Sequence, residues 1–207
     1  MIDRQKIYCQ GGKIFSKVLK AISASGVRVH GIEQSSGDAW CFGYSIRHAT
    51  SIGYDCGPDF FENHGYQKVD PFTFAVAWLG KIPEEILVEA KIICFCRGGE
   101  TFKKVLSEMI KRNLVSFGAP ETVLERATDN RYKFGVGSAD SNFGYSGMDY
   151  FESRNCIEVS PEVFSVIWLG QDVDSIIESE DELTLVIAPK QDVKITKVSV
   201  TKLTIKL

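Results

Sequence analysis

An eleven-residue phrase occurs twice in this chain, as Cys-Gln-Gly-Gly-Lys-Ile-Phe-Ser-Lys-Val-Leu at 9–19 and as Cys-Arg-Gly-Gly-Glu-Thr-Phe-Lys-Lys-Val-Leu at 96–106. The correspondence continues in the same order. Gly31 pairs with Gly118, Phe42-Gly43 with Phe134-Gly135, and Gly53-Tyr54 with Gly144-Tyr145. Asp59, Phe61 and Glu62 then match Asp149, Phe151 and Glu152, and Val-Asp-Pro-Phe-Thr-Phe-Ala-Val-Ala-Trp-Leu-Gly at 69–80 matches Val-Ser-Pro-Glu-Val-Phe-Ser-Val-Ile-Trp-Leu-Gly at 159–170. Ordered self-similarity at a nearly fixed offset reads as a tandem duplication. Residues 1–88 form the first repeat unit, 91–178 the second, and 183–207 a C-terminal strand extension.

Periodicity gives each unit a coarse structure. Apolar runs at 6–9 and 91–96 lead into the glycines and predict strands. Ile14, Phe15, Val18, Leu19 and Ile22, like Phe102, Val105, Leu106, Met109 and Ile110, follow the spacing of one helical face. Strands are predicted at Val-Arg-Val-His-Gly-Ile and Leu-Val-Ser-Phe-Gly, then around Phe42 and Phe134, with a short helix at Asp59 and at Asp149. The aromatic and β-branched segments 69–80 and 159–170 predict strands as well. The fold class is therefore α+β: a duplicated β-α-β-β-(short α)-β unit packed with pseudo-two-fold symmetry, plus extra C-terminal strands. Hardly any linker separates the units, so intimate packing is expected, as in two copies of a former homodimer.

Composition narrows the function. At 44% hydrophobic and 25% charged residues the chain is ordinary globular material. A net charge of -3 with pI near 5.7 disfavours nucleic acid as a partner. The lysines at 190, 194, 197, 202 and 206 read as the solvent face of terminal strands. No run of about 18 apolar residues spans a membrane, and the start lacks a secretory pattern, so a cytoplasmic location is expected. The six cysteines, at 9, 41, 56, 94, 96 and 156, show no CxxC or His-rich ligand pattern and read as buried thiols.

Three constellations are candidates for function. Gly11-Gly12 and Gly98-Gly99 precede helices, with Lys13, Lys17 and Lys104 near their starts. They serve either as tight turns with positive φ or as an anion site made by helix N–H groups. Asp59 with Glu62, and Asp149 with Glu152, share a helical face and are weak candidates for holding a divalent cation, or for acid–base work. Tyr54 and Tyr145 follow glycine in polar loops, where a ring can stack on a ligand or a partner, whereas Trp78 and Trp168 read as core. A nucleophilic Cys9 or Cys96 would want a histidine base. His30, His48 and His64 all lie in the first unit.

The glycine motif is neither GxGxxG nor GxxxxGK[ST], and no cofactor is expected. No catalytic set recurs in both units, and Lys13 of the first is Glu100 in the second, where a carboxylate competes with an anion for the helix start. The expectation is a non-enzymatic binding or inhibitory protein that engages a partner protein through loops and edge strands. The alternatives are a binder of a small, nucleotide-like anion at the Gly-Gly helix starts, and a metal-dependent phosphoester hydrolase or transferase built on the Asp/Glu pairs.

Overall fold

The structure, a computed structural model of the chain, describes residues 3–45, 50–136, 143–147 and 149–176, together with the backbone of 182–186 and 202–206. It is a mixed α+β fold with two mixed sheets. His48 and the lysines at 190, 194 and 197 lie outside the described residues.

From the N-terminus the first sheet collects β1 (Ile7–Gln10), β2 (Arg28–Val29), β3 (Trp40–Tyr44), β4 (Ser51–Cys56) and β5 (Gln67–Lys68), in the order β2-β4-β3-β1-β5. The second collects β6 (Cys94–Arg97), β7 (Lys133–Val136), β8 (Phe143–Ser146) and β9 (Ile157–Glu158), in the order β8-β7-β6-β9. In both sheets the central strand pairs antiparallel on one side, β1 with β3 and β6 with β7, and parallel with a two-residue strand on the other. Two further strands, β10 (Glu182–Val186) and β11 (Lys202–Lys206), pair parallel in a sheet of their own.

Helices α1 (Lys13–Ala24) and α5 (Glu100–Lys111) follow the glycines, as their spacing predicts, and bury Phe15, Val18, Leu19 and Ile22, and Phe102, Val105, Leu106 and Met109. The short helix α2 (Asp59–Asn63) forms where expected, while its counterpart is a 3-10 turn at Glu152–Arg154.

Three expectations need correction. The segments 69–80 and 159–170 are not strands but helices α3 (Pro71–Leu79) and α7 (Pro161–Leu169), so the unit does not end on a β-strand. Local chemistry outweighs their strand propensity. Asp70 and Ser160 accept hydrogen bonds from backbone N–H groups of the first turn, proline stands just inside, and Gly80 and Gly170 close each helix with φ near 68° and 69°. Residues 91–93 belong to α4 (Glu84–Ile93), the helix that joins the two sheets, so the strand begins only at Cys94. Leu-Val-Ser-Phe-Gly at 114–118 forms no strand either, and α6 (Pro120–Arg126) follows it.

A single apolar cluster runs through both sheets. It takes Ile7, Phe42, Phe72 and Phe74 from one segment, Phe102, Phe134, Phe164 and Ile167 from the other, and Ile86 and Ala90 from α4 between them. The intimate packing expected from the missing linker is what the helices provide, with α3 on α7 and α4 on α1 and α7.

Asp70 gives this core a measurable pH dependence. Burial holds its carboxyl above the ordinary value of 3.8, although hydrogen bonds from Thr73 and Phe72 oppose the shift. The native chain therefore binds the proton more tightly than the unfolded one, and the stability this group contributes falls as pH rises from about that value through the raised native one. Asp70→Asn keeps a capping oxygen and is expected to remove that slope from urea unfolding curves; Asp70→Ala should remove it too and in addition lie about 1 kcal/mol below Asp70→Asn at every pH.

Candidate functional site

The glycine pairs are held by backbone hydrogen bonds. Gly11 N–H donates to Trp40 O at 2.7 Å and Gly12 N–H to Ser35 O at 2.8 Å. The second pair repeats this, with Gly98 N–H on Tyr132 O at 2.8 Å and Gly99 N–H on Ala127 O at 2.6 Å. A Cβ on Gly11 would stand 2.1 Å from Gly37 O, and one on Gly98 would stand 2.3 Å from Asp129 O. The first glycine of each pair thus exists because another stretch of main chain crosses it at contact distance. The positive φ expected at these turns is absent: Gly12 at 161° and Gly99 at 160° are extended, and a Cβ there meets nothing within 4 Å. Lys13 is exposed, Lys17 pairs with Glu89 at 3.1 Å, and Lys104 is half-buried. At each helix start the N–H of the N-cap residue, Gly12 or Gly99, is therefore already used.

This geometry predicts an asymmetric response within each pair. Gly11→Ala and Gly98→Ala should each lose about 1–3 kcal/mol in urea unfolding, the range for overpacking a close contact. Gly12→Ala and Gly99→Ala should stay within about 0.5 kcal/mol of the parent.

The acidic pairs also serve the fold, by different means in the two halves. Glu62 accepts a hydrogen bond at 2.7 Å from Tyr8, whose phenol is pushed up first by burial and then by that carboxylate. At the matching place β6 carries Phe95, and the partner of Glu152 is Lys133 of β7, a residue only 5% exposed. Lys133 donates to Glu152 and, at 3.3 Å, to Asp149. The bond to Lys133 holds the Glu152 carboxyl below its usual range and raises the Lys133 ammonium in turn. Arg97 closes the cluster, 3.5 Å from Glu152 and bonded to Glu158 at 2.6 and 3.0 Å. Asp59 and Asp149 point to solvent. Among the described residues no group of three or more His, Cys, Asp or Glu side chains is placed to hold a metal ion.

Tyr54 and Tyr145 stand on strands β4 and β8, not in loops. Tyr54 is 40% exposed; it lies over Gly31, where a Cβ would come within 2.3 Å of the ring, and it stacks on Phe42 and meets Trp40 edge-on. The ring of Tyr145 is covered by the guanidinium of Arg126, 5.0 Å from its centroid, which also donates to its hydroxyl. Trp78 is buried and Trp168 half-buried, each under a cation, Arg4 at 5.3 Å and Lys91 at 5.4 Å. The thiols of Cys9 and Cys96 are buried, and burial pushes both well above the ordinary range, which removes the thiolate a nucleophile needs.

Sequence reading missed Lys133, Arg126 and the Arg97–Glu158 pair. A lysine inside the apolar Tyr-Lys-Phe-Gly-Val was the available signal for the first. Arg126 lies on α6, whose place in the first segment is taken by the 3-10 turn Ile32–Gln34. Comparison with protein-family models, curated proteins and solved structures finds no significant match to this chain.

Proposed function

We propose that the chain is a tandem duplication of one α+β unit, its halves related by a pseudo-two-fold axis, and that it works as a non-enzymatic binding or inhibitory protein engaging a partner protein through an edge strand. The order β4-β3-β1-β5 and the order β8-β7-β6-β9 support the duplication, because each strand meets its sequence counterpart in the same position. The observation that carries the binding reading is an inequality between those sheets. Strand β4 is flanked on its outer side by β2, whereas among the described residues β8 is the last strand of its sheet. A four-residue edge beside an ordered sheet offers main-chain groups to an added strand.

The small-anion alternative has less support, since the glycine N–H groups donate to backbone carbonyls. So has the hydrolase alternative, since Glu62 and Glu152 are bonded to Tyr8 and Lys133.

Gly144→Lys tests this reading. A Cβ at Gly144 meets nothing within 4 Å, so the substitution charges the edge without crowding the fold. Affinity capture from the native host is expected to enrich one protein with the parent and at least about tenfold less with Gly144→Lys, at unchanged thermal stability. Equal recovery overturns the edge-strand reading. A nucleotide-induced thermal shift lost in Lys13→Glu, with no protein captured, overturns partner binding in favour of the anion.

A further inference from the structure

A groove of about 840 Å³ opens between α3 and α7, where the start of the chain meets the residues after α7. Its apolar lining consists of the half-buried Val76 and Ala77, with Val163 and Val166 buried beneath them. Its rim carries the carboxylates of Asp3, Glu162, Asp172 and Asp174, all on exposed residues. Among the described residues none of these four is in an ion pair. Arg4, the one cation among the described residues lining the groove, has its guanidinium over the Trp78 ring.

The matching junction on the other side of the fold shows that this opening is not imposed by the architecture. The repeat places Phe72 opposite Glu162, Ile82 opposite Asp172 and Ala90 opposite Asp3. Arg4 over Trp78 and Lys91 over Trp168 fix that register in space. Those three counterparts are 0%, 6% and 0% exposed, so the same junction is there closed over apolar side chains. Here it is open, with carboxylates in place of those three; the fourth, Asp174, stands opposite Glu84, which is exposed as well.

We propose that this groove binds a lysine- or arginine-bearing peptide segment of a partner protein. The long aliphatic stems lie along Val76 and Ala77 and the charged heads meet the carboxylate rim. The inference rests on the partner-binding reading and adds a second contact surface and the chemistry that fits it. The anionic excess at the rim selects a cationic ligand, and the apolar floor favours residues with stems over bare charge.

The test uses the full chain and a fluorescein-labelled peptide of about six residues alternating lysine and leucine, followed by anisotropy. Binding is expected at about 50 mM salt and should weaken toward about 300 mM as the charges are screened. The triple variant Glu162→Gln, Asp172→Asn, Asp174→Asn should bind at least about tenfold more weakly, about 1.4 kcal/mol. Because all three positions are exposed, its melting curve should match the parent. Neutralising Glu33, Glu85 and Glu121, away from the groove, should leave binding within about twofold. A lysine–glycine peptide should bind more weakly than the lysine–leucine one. The proposal is overturned if no binding occurs at low salt, if both triple variants behave alike, if the glycine peptide binds as well, or if spermine binds as tightly as the peptide. Gly144→Lys should not alter peptide binding, so failure at the groove leaves the edge-strand reading standing, and failure at the edge leaves the groove.

Discussion

Helices α3 and α7 are apolar on most of their surface, and apart from the groove between them the rest of the molecule is arranged to cover them. Phe72, Phe74, Ala75 and Trp78 of α3 are buried, as are Val163, Phe164, Val166 and Ile167 of α7. A helix apolar on nearly all sides has to lie inside a protein. Each is covered by the amphipathic helix of its own segment, Phe15 meeting Phe74 at 5.1 Å and Phe102 meeting Phe164 at 5.5 Å, and the two helices pack on each other. Each fully buried Phe contributes about 1.5–3 kcal/mol relative to exposure. Separating the halves would expose the faces that α3 and α7 turn to each other and the face that α7 turns to α4.

What the two segments share is packing, and what they do not share is polar chemistry. Phe74 stacks on Trp78 with rings 6.0 Å apart and 27° between planes, and Phe164 on Trp168 with the same values. The polar pairs around that frame change in concert. Lys68 donates to Gln10 where Arg97 bonds Glu158, and Tyr8 donates to Glu62 where Lys133 bonds Glu152. In the first contact both members differ between the segments; in the second the glutamate is kept and its partner moves from Tyr8 of β1 to Lys133 of β7, and in each case a contact survives. Such compensation preserves the fold while leaving the two surfaces free to diverge in charge, and at the junction of α3 and α7 they have diverged into a closed apolar seam and an open acidic groove.

The same division explains which features could be read from the sequence. Helices α1 and α5 were legible because one face is wet and the other dry, which leaves a period in the residues. Apolar residues on most sides erase that period in α3 and α7, and their Phe, Val, Ile and Trp content then imitates a strand. Only the caps told otherwise: Asp70-Pro71 and Ser160-Pro161 at the starts, Gly80 and Gly170 at the ends. The recurrence of the glycine pair was plain, but its cause was not. The atoms that forbid a side chain at Gly11 and Gly98 belong to Gly37 and Asp129, tens of residues away. Tyr54 and Tyr145 were placed in loops because glycine and polar neighbours surround them, yet strand pairing with Phe42 and Phe134 overrides that local signal.

One core shared by both sheets makes a single demand on unfolding. The chain has three tryptophans, Trp40 and Trp78 in the first segment and Trp168 in the second. Labelled with fluorotryptophan and titrated with urea, each reports its own surroundings by ¹⁹F NMR. A common core requires all three native signals to be lost with one midpoint and one slope. Ile167→Val, a change of about 0.5–1.5 kcal/mol inside α7, should then move all three midpoints together. Loss of the Trp168 signal at a separate midpoint, or a shift confined to Trp168 in Ile167→Val, would show two independently folding halves and contradict the account.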